Sequence, residues 1–318
     1  MIHAGFDVGG TNIKAGIVDD AEMKILTKRN VPFPRGSYKN TAEVFERLAA
    51  EMTEELGASV FDLASVGVAI PGSIDPSGKT IINAHNLDFH NVPMKAEAAR
   101  RFPGKPIHLA NDANAAALAE LHAGALRGCT TGVLMTLGTG VGGGLILGGR
   151  MFNGGLGHGV ELGHMTLQYG GAPCTCGNLG CIESYCTATW LAAQGRQVLK
   201  EKRDSLIVKK SADNPRRVNA KTVIDSAKEG DPAAGEIFAQ YIDYLSAAIV
   251  SVTALLDPEI VALGGGVSLA GDALFVPLRK KVEAQSFFRY PYRIVPAEMG
   301  NDAGIIGAAM LDKNAQIR

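Results

Sequence analysis

Ala4-Gly-Phe-Asp7-Val-Gly9-Gly10-Thr11-Asn12-Ile-Lys-Ala-Gly-Ile-Val18 reads as a strand, a glycine turn and a second strand. The turn residues Gly9 to Asn12 separate two apolar runs, and Asp19-Asp20 then turns the chain into a third run, Lys24 to Val31. The same order returns further on. Val133 to Leu137, Gly138-Thr139-Gly140-Val141-Gly142-Gly143-Gly144, Leu145 to Leu147 and the turn Gly148-Gly149 again give strand, glycine turn, strand. Two such hairpins in one chain predict two similar α/β domains. Between them a helical period runs through Val44, Phe45, Leu48, Ala49, Met52 and Leu56 after a start signal at Thr41. A buried strand is expected over 65–70, a helix over 95–102, a strand over 107–110 and a helix over 115–124. The region 187–256 is mostly helical, with Tyr241, Leu245, Ile249, Val252 and Leu256 on one apolar face read as core. A strand at 260–263 enters Gly264-Gly265-Gly266, and a last helix covers 303 to about 313.

The chain has 318 residues, 46% hydrophobic and 20% charged, the composition of a globular protein with room for two domains. A net charge of -1 with acids and bases interspersed provides no field to draw nucleic acid or an anionic membrane, and neither partner is expected. The start lacks a basic and apolar leader, and no stretch approaches the roughly 20 apolar residues of a membrane span. A cytoplasmic protein is expected.

Cysteine usage is concentrated. Of five cysteines, Cys174, Cys176 and Cys181 lie within one segment with His164, bracketed by Glu161 and Glu183. Three thiolates and an imidazole close a tetrahedral shell around Zn²⁺ and leave no position for water or substrate, so a structural metal is expected on His164, Cys174, Cys176 and Cys181. Disulfides are the competing reading, disfavoured in a reducing compartment, and Cys186 is an alternative ligand. Cys129 reads as a small buried apolar residue. Held on a rigid metal loop, Glu161 and Glu183 become acceptors for vicinal hydroxyls, with the second ring nitrogen of His164 beside them.

Three glycine turns at strand ends let backbone N–H groups approach an anion without side-chain obstruction. Gly138-x-Gly140-x-x-Gly143 fits the dinucleotide pattern, but the following Leu145-Ile-Leu147 reads as strand where a Rossmann site requires a helix, and no P-loop sequence occurs. Asp7, between Phe6 and Val8, needs a partner, which Mg²⁺ on a nucleotide phosphate would supply beside the Thr11 hydroxyl. Asp112 stands at a helix start, where it either caps the helix or serves as general base toward a hydroxyl, with Asn111 and Asn114 orienting a polyol.

Taken together, Asp7-x-Gly9-Gly10-Thr11, Asn111-Asp112-x-Asn114, Gly138-x-Gly140, Glu161-x-x-His164, Cys174-x-Cys176-x-x-x-x-Cys181-x-Glu183 and Leu263-Gly264-Gly265-Gly266 resemble the ROK family of sugar kinases and repressors over nearly the whole chain. The resemblance implies an actin-like, hexokinase-like fold. It comprises a small domain of residues 1–117 completed by the C-terminal helix at 303–318, and a large domain of 118–302 carrying the zinc loop 161–183, around a cleft. Asp7, Gly9, Gly10, Thr11, Gly138, Thr139 and Gly140 would cradle ATP phosphates, and Gly264, Gly265 and Gly266 would lie near adenosine. Asp112 would be the catalytic base; Gly72, Asn111, Glu161, His164 and Glu183 would hold the sugar. The implied activity is that of an ATP- and Mg²⁺-dependent glucokinase, with N-acetylmannosamine, N-acetylglucosamine, fructose, mannose and allose as alternative acceptors, and a homodimer is the expected assembly. A sugar-sensing repressor is the alternative of another class. It is disfavoured because the first strand begins within five residues of Met1, and no basic footprint is present.

Overall fold

The computed structural model describes residues 1–314. Strands β1 (Ile2–Val8), β2 (Asn12–Asp19) and β3 (Lys24–Pro32) form an antiparallel meander, followed by α1 (Tyr38–Glu55) and β4 (Leu63–Ile70). Three short strands come next, β5 (Ser73–Ile74), β6 (Ile81–Ala84) and β7 (Phe89–Val92), then α2 (Met94–Arg101), β8 (Ile107–Asn111) and α3 (Asp112–Ala123). The second half holds β9 (Gly132–Leu137), β10 (Val141–Leu147) and β11 (Arg150–Phe152), then α4 (Ala188–Glu201), α5 (Leu206–Ser211), α6 (Ala220–Lys228) and α7 (Pro232–Leu256). The chain finishes with β12 (Ile260–Gly264), α8 (Asp272–Gln285), β13 (Arg293–Pro296) and α9 (Ala303–Ala309).

The duplicated hairpin has a duplicated topology. One five-stranded sheet runs β3-β2-β1-β4-β8 and the other β11-β10-β9-β12-β13, so each is a meander extended by two strands. In each the added strands are parallel: β4 to β1 and β8, β12 to β9 and β13. β5, β6 and β7 make a separate antiparallel sheet that the sequence reading did not resolve, since strands of this length carry too few residues for a period to show.

Contacts divide the chain into one unit of Met1–Thr130, Gly144–Val160 and the segment from Glu298, and another of Thr131–Gly143 and Glu161–Ala297. These bounds differ from the 117/118 and 302/303 divisions read from the sequence. Helix α3 continues to Ala123 and packs along α9, which keeps both in the first unit. The approach of α9 to the sheet is backbone to backbone: a Cβ on Gly67 of β4 would lie 1.8 Å from the Ala308 carbonyl oxygen of α9, so only glycine fits there. Helix α9 is shorter than expected and ends in a 3-10 turn, Met310–Asp312; the rest of the predicted C-terminal segment, 315–318, lies outside the described residues.

In the first unit Phe45, Leu48, Ala49 and Met52 of α1 are buried on the sheet, with the Phe45 ring 4.5 Å from that of Phe6 on β1. The helix starts ahead of Thr41 because the Ser37 hydroxyl accepts the Lys39 N–H and caps it. In the second unit Tyr241, Leu245, Ile249 and Val252 of α7 are buried, and α7 lies against α4, α6 and α8, so the apolar face is core as expected. Alone among the described helices, α7 has the length and composition of a membrane span, but Glu236 and Asp243 interrupt it and the buried face is filled by protein.

Glu120 on α3 is 1% exposed, and its carboxylate accepts the backbone N–H groups of Ala125 at 2.7 Å, Met299 at 2.8 Å and Glu298 at 3.1 Å. It ties the start of the C-terminal segment to α3. Glu120→Ala removes the shared acceptor of three part-buried N–H groups and is expected to destabilise the protein by about 3 kcal/mol. An unfolding free energy from urea titration that falls by less than a third of that would show that water replaces the carboxylate.

Candidate functional site

In the first unit the end of β8 delivers Asn111 and Asp112 to the start of α3. Asn111, not Asp112, is the helix cap: its Oδ1 accepts the N–H groups of Ala113 at 2.9 Å and Asn114 at 3.4 Å. Its Nδ2 donates to the Gly72 carbonyl at 3.0 Å, across a turn in which Gly72 has a φ of +108°. One amide proton of Asn111 remains for a ligand. Asn114 is 3% exposed; its Nδ2 donates to Asn153 at 3.2 Å, and its buried Oδ1 has no partner among the described residues.

With the cap supplied by Asn111, the Asp112 carboxylate takes the Ala113 N–H, at 2.9 Å on Oδ1, and faces its own backbone N–H, and the residue remains solvent-accessible. Protein atoms crowd around it nonetheless. That desolvation raises its pKa above the ordinary carboxylate value; the Ala113 N–H works against the shift, and repulsion from the Asp7 carboxylate adds to it. In the base role expected from the sequence Asp112 would act in its charged form, which places the acid limb of kcat/KM above the ordinary carboxylate pKa of about 4. Asp7→Asn removes the repulsion and is expected to move that limb to lower pH in the residual activity. A limb that stays in place would separate the two carboxylates.

Asp7 is itself paired. Lys14 Nζ lies 3.3 Å from Asp7 Oδ2 and 3.5 Å from the Asn301 carbonyl. Sequence reasoning missed Lys14, although the hairpin contained the signal: counting outward from the Gly9–Asn12 turn, Val8 faces Ile13 and Asp7 faces Lys14. The turn is closed by the Gly9 N–H to the Asn12 carbonyl at 2.8 Å, leaving Gly10 and Thr11 exposed. Lys14 bonds only Oδ2, so Asp7 can also face a Mg²⁺-bound water. Segments 72–74 and 86–90 both contribute to the small β5–β7 sheet or its connection, and the Asn86 carbonyl lies beside Gly10.

In the second unit, one ligand atom from each of His164, Cys174, Cys176 and Cys181 lies within 4.8 Å of every other. Around Zn²⁺ with bonds of about 2.3 Å to sulfur and 2.05 Å to nitrogen, tetrahedral edges are about 3.8 Å between sulfurs and about 3.6 Å from sulfur to nitrogen. The Cys176 and Cys181 sulfurs are 3.7 Å apart, and Cys174 Sγ is 3.6 Å from His164 Nδ1. The shell fits zinc, through Nδ1, which leaves Nε2 directed away from the metal. All five cysteines are free thiols, and Cys186, fully buried with its thiol pushed up by that burial, is not in the cluster. Burial opposes ionisation of Cys174, but hydrogen bonds from the Cys176 N–H and the neighbouring thiols prevail and bring it down to about 7, while burial and the same neighbours push Cys181 up to about 12. The loop folds tightly: a Cβ on Gly180 would lie 1.7 Å from the Gln168 carbonyl oxygen.

Glu161 is exposed immediately before the turn Leu162–His164. Glu183 Oε2 accepts the Val141 N–H at 2.9 Å, and Oε1 accepts the Thr175 hydroxyl at 3.4 Å. The sequence signalled Glu183 as a hydroxyl acceptor but not this bond to the Gly138–Gly140 turn. Gly264 to Gly266 packs on the end of β9, just before the Gly138–Gly140 turn: at Gly265, which has a φ of +82°, an added Cβ would lie 2.5 Å from the Leu137 carbonyl oxygen. After Gly140 the chain continues as β10, in keeping with the rejection of a Rossmann site.

Comparison with known proteins gives the wider setting. The chain is 38% identical to a glucokinase of Thermotoga maritima, covering 97% of this chain and 96% of that protein. It is 30% identical to an N-acetyl-D-glucosamine kinase of Yersinia pseudotuberculosis, with 98% of each covered. Its structure matches that of a ROK family glucokinase from Streptomyces griseus in complex with glucose and AMPPNP, with a TM-score of 0.81 and 31% identity over 98% of this chain and 99% of that one. The α/β fold of the actin-like, hexokinase-like class is therefore borne out. The ROK family model matches residues 3–315, and with that span and that degree of identity the chain belongs to the ROK family.

Proposed function

We propose that this ATP-dependent sugar kinase transfers the γ-phosphoryl group of ATP to the 6-hydroxyl of glucose, with Asp112 as general base. The observation that carries the reading is the division of labour at the start of α3. Asn111 takes the capping role, and Asp112 retains a carboxylate of raised pKa next to Asp7. As the hydroxyl oxygen bonds to phosphorus and the bond to the ADP oxygen breaks, Asp112 accepts the hydroxyl proton. Lys14 and the N–H groups of the glycine turns oppose the charge on the transferring group, and Asp7 and Thr11 are the groups suited to Mg²⁺ with its waters. Mg²⁺ supplies further charge neutralisation at the phosphates.

Gly72, Asn111, Glu161, His164 and Glu183 are assigned to the sugar hydroxyls, Gly9 to Thr11 and Gly138 to Gly140 to phosphates, and Gly264 to Gly266 to the adenosine end. Zn²⁺ holds the loop from which Glu161, His164 and Glu183 project. Glucose is favoured over N-acetylglucosamine by the greater likeness to the glucokinase, 38% against 30%. The same proposal takes the protein as a cytoplasmic homodimer with no nucleic-acid or membrane partner. ADP release should be measured with Mg²⁺ and ATP across hexoses and N-acetylhexosamines, with a no-sugar control. Glucose is expected to give the highest kcat/KM; a higher value for an N-acetylhexosamine would reassign the acceptor.

A further inference from the structure

The carbonyl groups of the Gly138–Gly140 turn all face protein donors. Gly138 O accepts the Ala188 N–H at 2.8 Å, Thr139 O accepts the Thr189 hydroxyl at 3.2 Å, and Gly140 O accepts the Gly138 N–H at 3.0 Å. In a trans peptide the N–H points opposite to the carbonyl of the preceding residue. Fixing the Gly138 and Thr139 carbonyls toward α4 therefore turns the Thr139 and Gly140 N–H groups away from it, and successive amides of a turn presented in this way can face an anion. The next amide, that of Val141, is held by Glu183 Oε2 at 2.9 Å.

The segment that does this is itself fixed at two points. Glu183 lies two residues beyond Cys181, on the turn Ile182–Ser184, so the metal cluster anchors one end. At the other, the fully buried Tyr241 donates its hydroxyl to the Cys186 carbonyl at 3.0 Å.

We infer that the segment from Glu183 to Thr189 positions the phosphate-binding amides of Thr139 and Gly140, with Thr189 as a positioning residue, and that nucleotide affinity depends through it on the zinc cluster. The inference rests on the reading of Gly138 to Gly140 as a phosphate turn, and assigns the metal loop a part in nucleotide binding in addition to sugar binding. Without the Thr189 hydroxyl, the Thr139–Gly140 peptide loses the bond that orients its carbonyl, and with it part of the hold on its N–H direction.

The test is binding of a fluorescent N-methylanthraniloyl ADP with Mg²⁺ and no sugar, to wild type, Thr189→Val, Thr189→Ser, zinc-stripped wild type and Gly138→Ala. One lost hydrogen bond weakens nucleotide binding about three- to tenfold in Thr189→Val, and Thr189→Ser restores it. Zinc removal is expected to weaken it at least as much. Glucose affinity of Thr189→Val, measured by calorimetry, is expected to be unchanged. Gly138→Ala checks the underlying reading, because its Cβ has no protein atom nearer than 3.9 Å yet would obstruct a phosphate. Wild-type nucleotide binding by Thr189→Val, with Gly138→Ala impaired, would overturn the coupling and leave the phosphate turn standing. Wild-type binding by Gly138→Ala would overturn both. Thr189→Val retains every zinc ligand, so its result holds even where stripping the metal unfolds the loop.

Discussion

Asp112→Asn is expected to lower kcat by about 10²-fold or more while leaving glucose and ATP dissociation constants within about tenfold of wild type. Asparagine nearly preserves the shape of the side chain, and the helix keeps its cap, because Asn111 supplies the bonds to Ala113 and Asn114. Only the capacity to take a proton is lost. The cost should therefore appear in the chemical step and not in folding or substrate affinity. Near-normal turnover would remove Asp112 from the base role, and a collapse of thermal stability would return it to the capping role the sequence also allowed.

Cys176→Ala is expected to abolish stoichiometric zinc and to weaken glucose binding about tenfold or more. From Cys174 to Gly180 the loop is largely solvent-exposed, joined by the isolated bridge Pro173–Leu179 and short turn bonds, and has little apolar surface to bury. Its geometry consequently depends on the metal. Glu183 lies two residues beyond Cys181, and His164 is both a candidate metal ligand and a proposed sugar contact through Nε2, so disorder in the loop would reach the groups proposed to bind sugar. Metal analysis of the purified variant and calorimetric titration with glucose check the two parts separately. A folded, zinc-free variant with full glucose affinity would show that the loop keeps its shape unaided.

The glycine-tipped hairpins and the zinc quartet were legible because their information is local: a strand period, a turn sequence, a ligand spacing. The doubled sheet order follows from those hairpins, whereas the parallel strands β12 and β13 depend on partners far along the chain. The role of Asn111 was not legible, because Asn and Asp are both good caps and the chain offers them side by side. Lys14 was within reach through hairpin register, but its ion pair with Asp7 had no motif to mark it. Glu120 had no signal at all: it accepts N–H groups from Glu298 and Met299, which only the folded topology brings to α3. The Glu183 bond to Val141 was hidden for the same reason, and it joins two motifs that the sequence presented as separate.

The most direct test of the central claim is phosphorus NMR of the zinc-loaded wild-type protein with Mg²⁺, ATP and glucose. Formation of ADP and glucose 6-phosphate in equal amounts, dependent on glucose and lost in Asp112→Asn, is the predicted result. ATP consumption that proceeds equally without sugar, or a phosphorylated product that persists in Asp112→Asn at the wild-type rate, would contradict it.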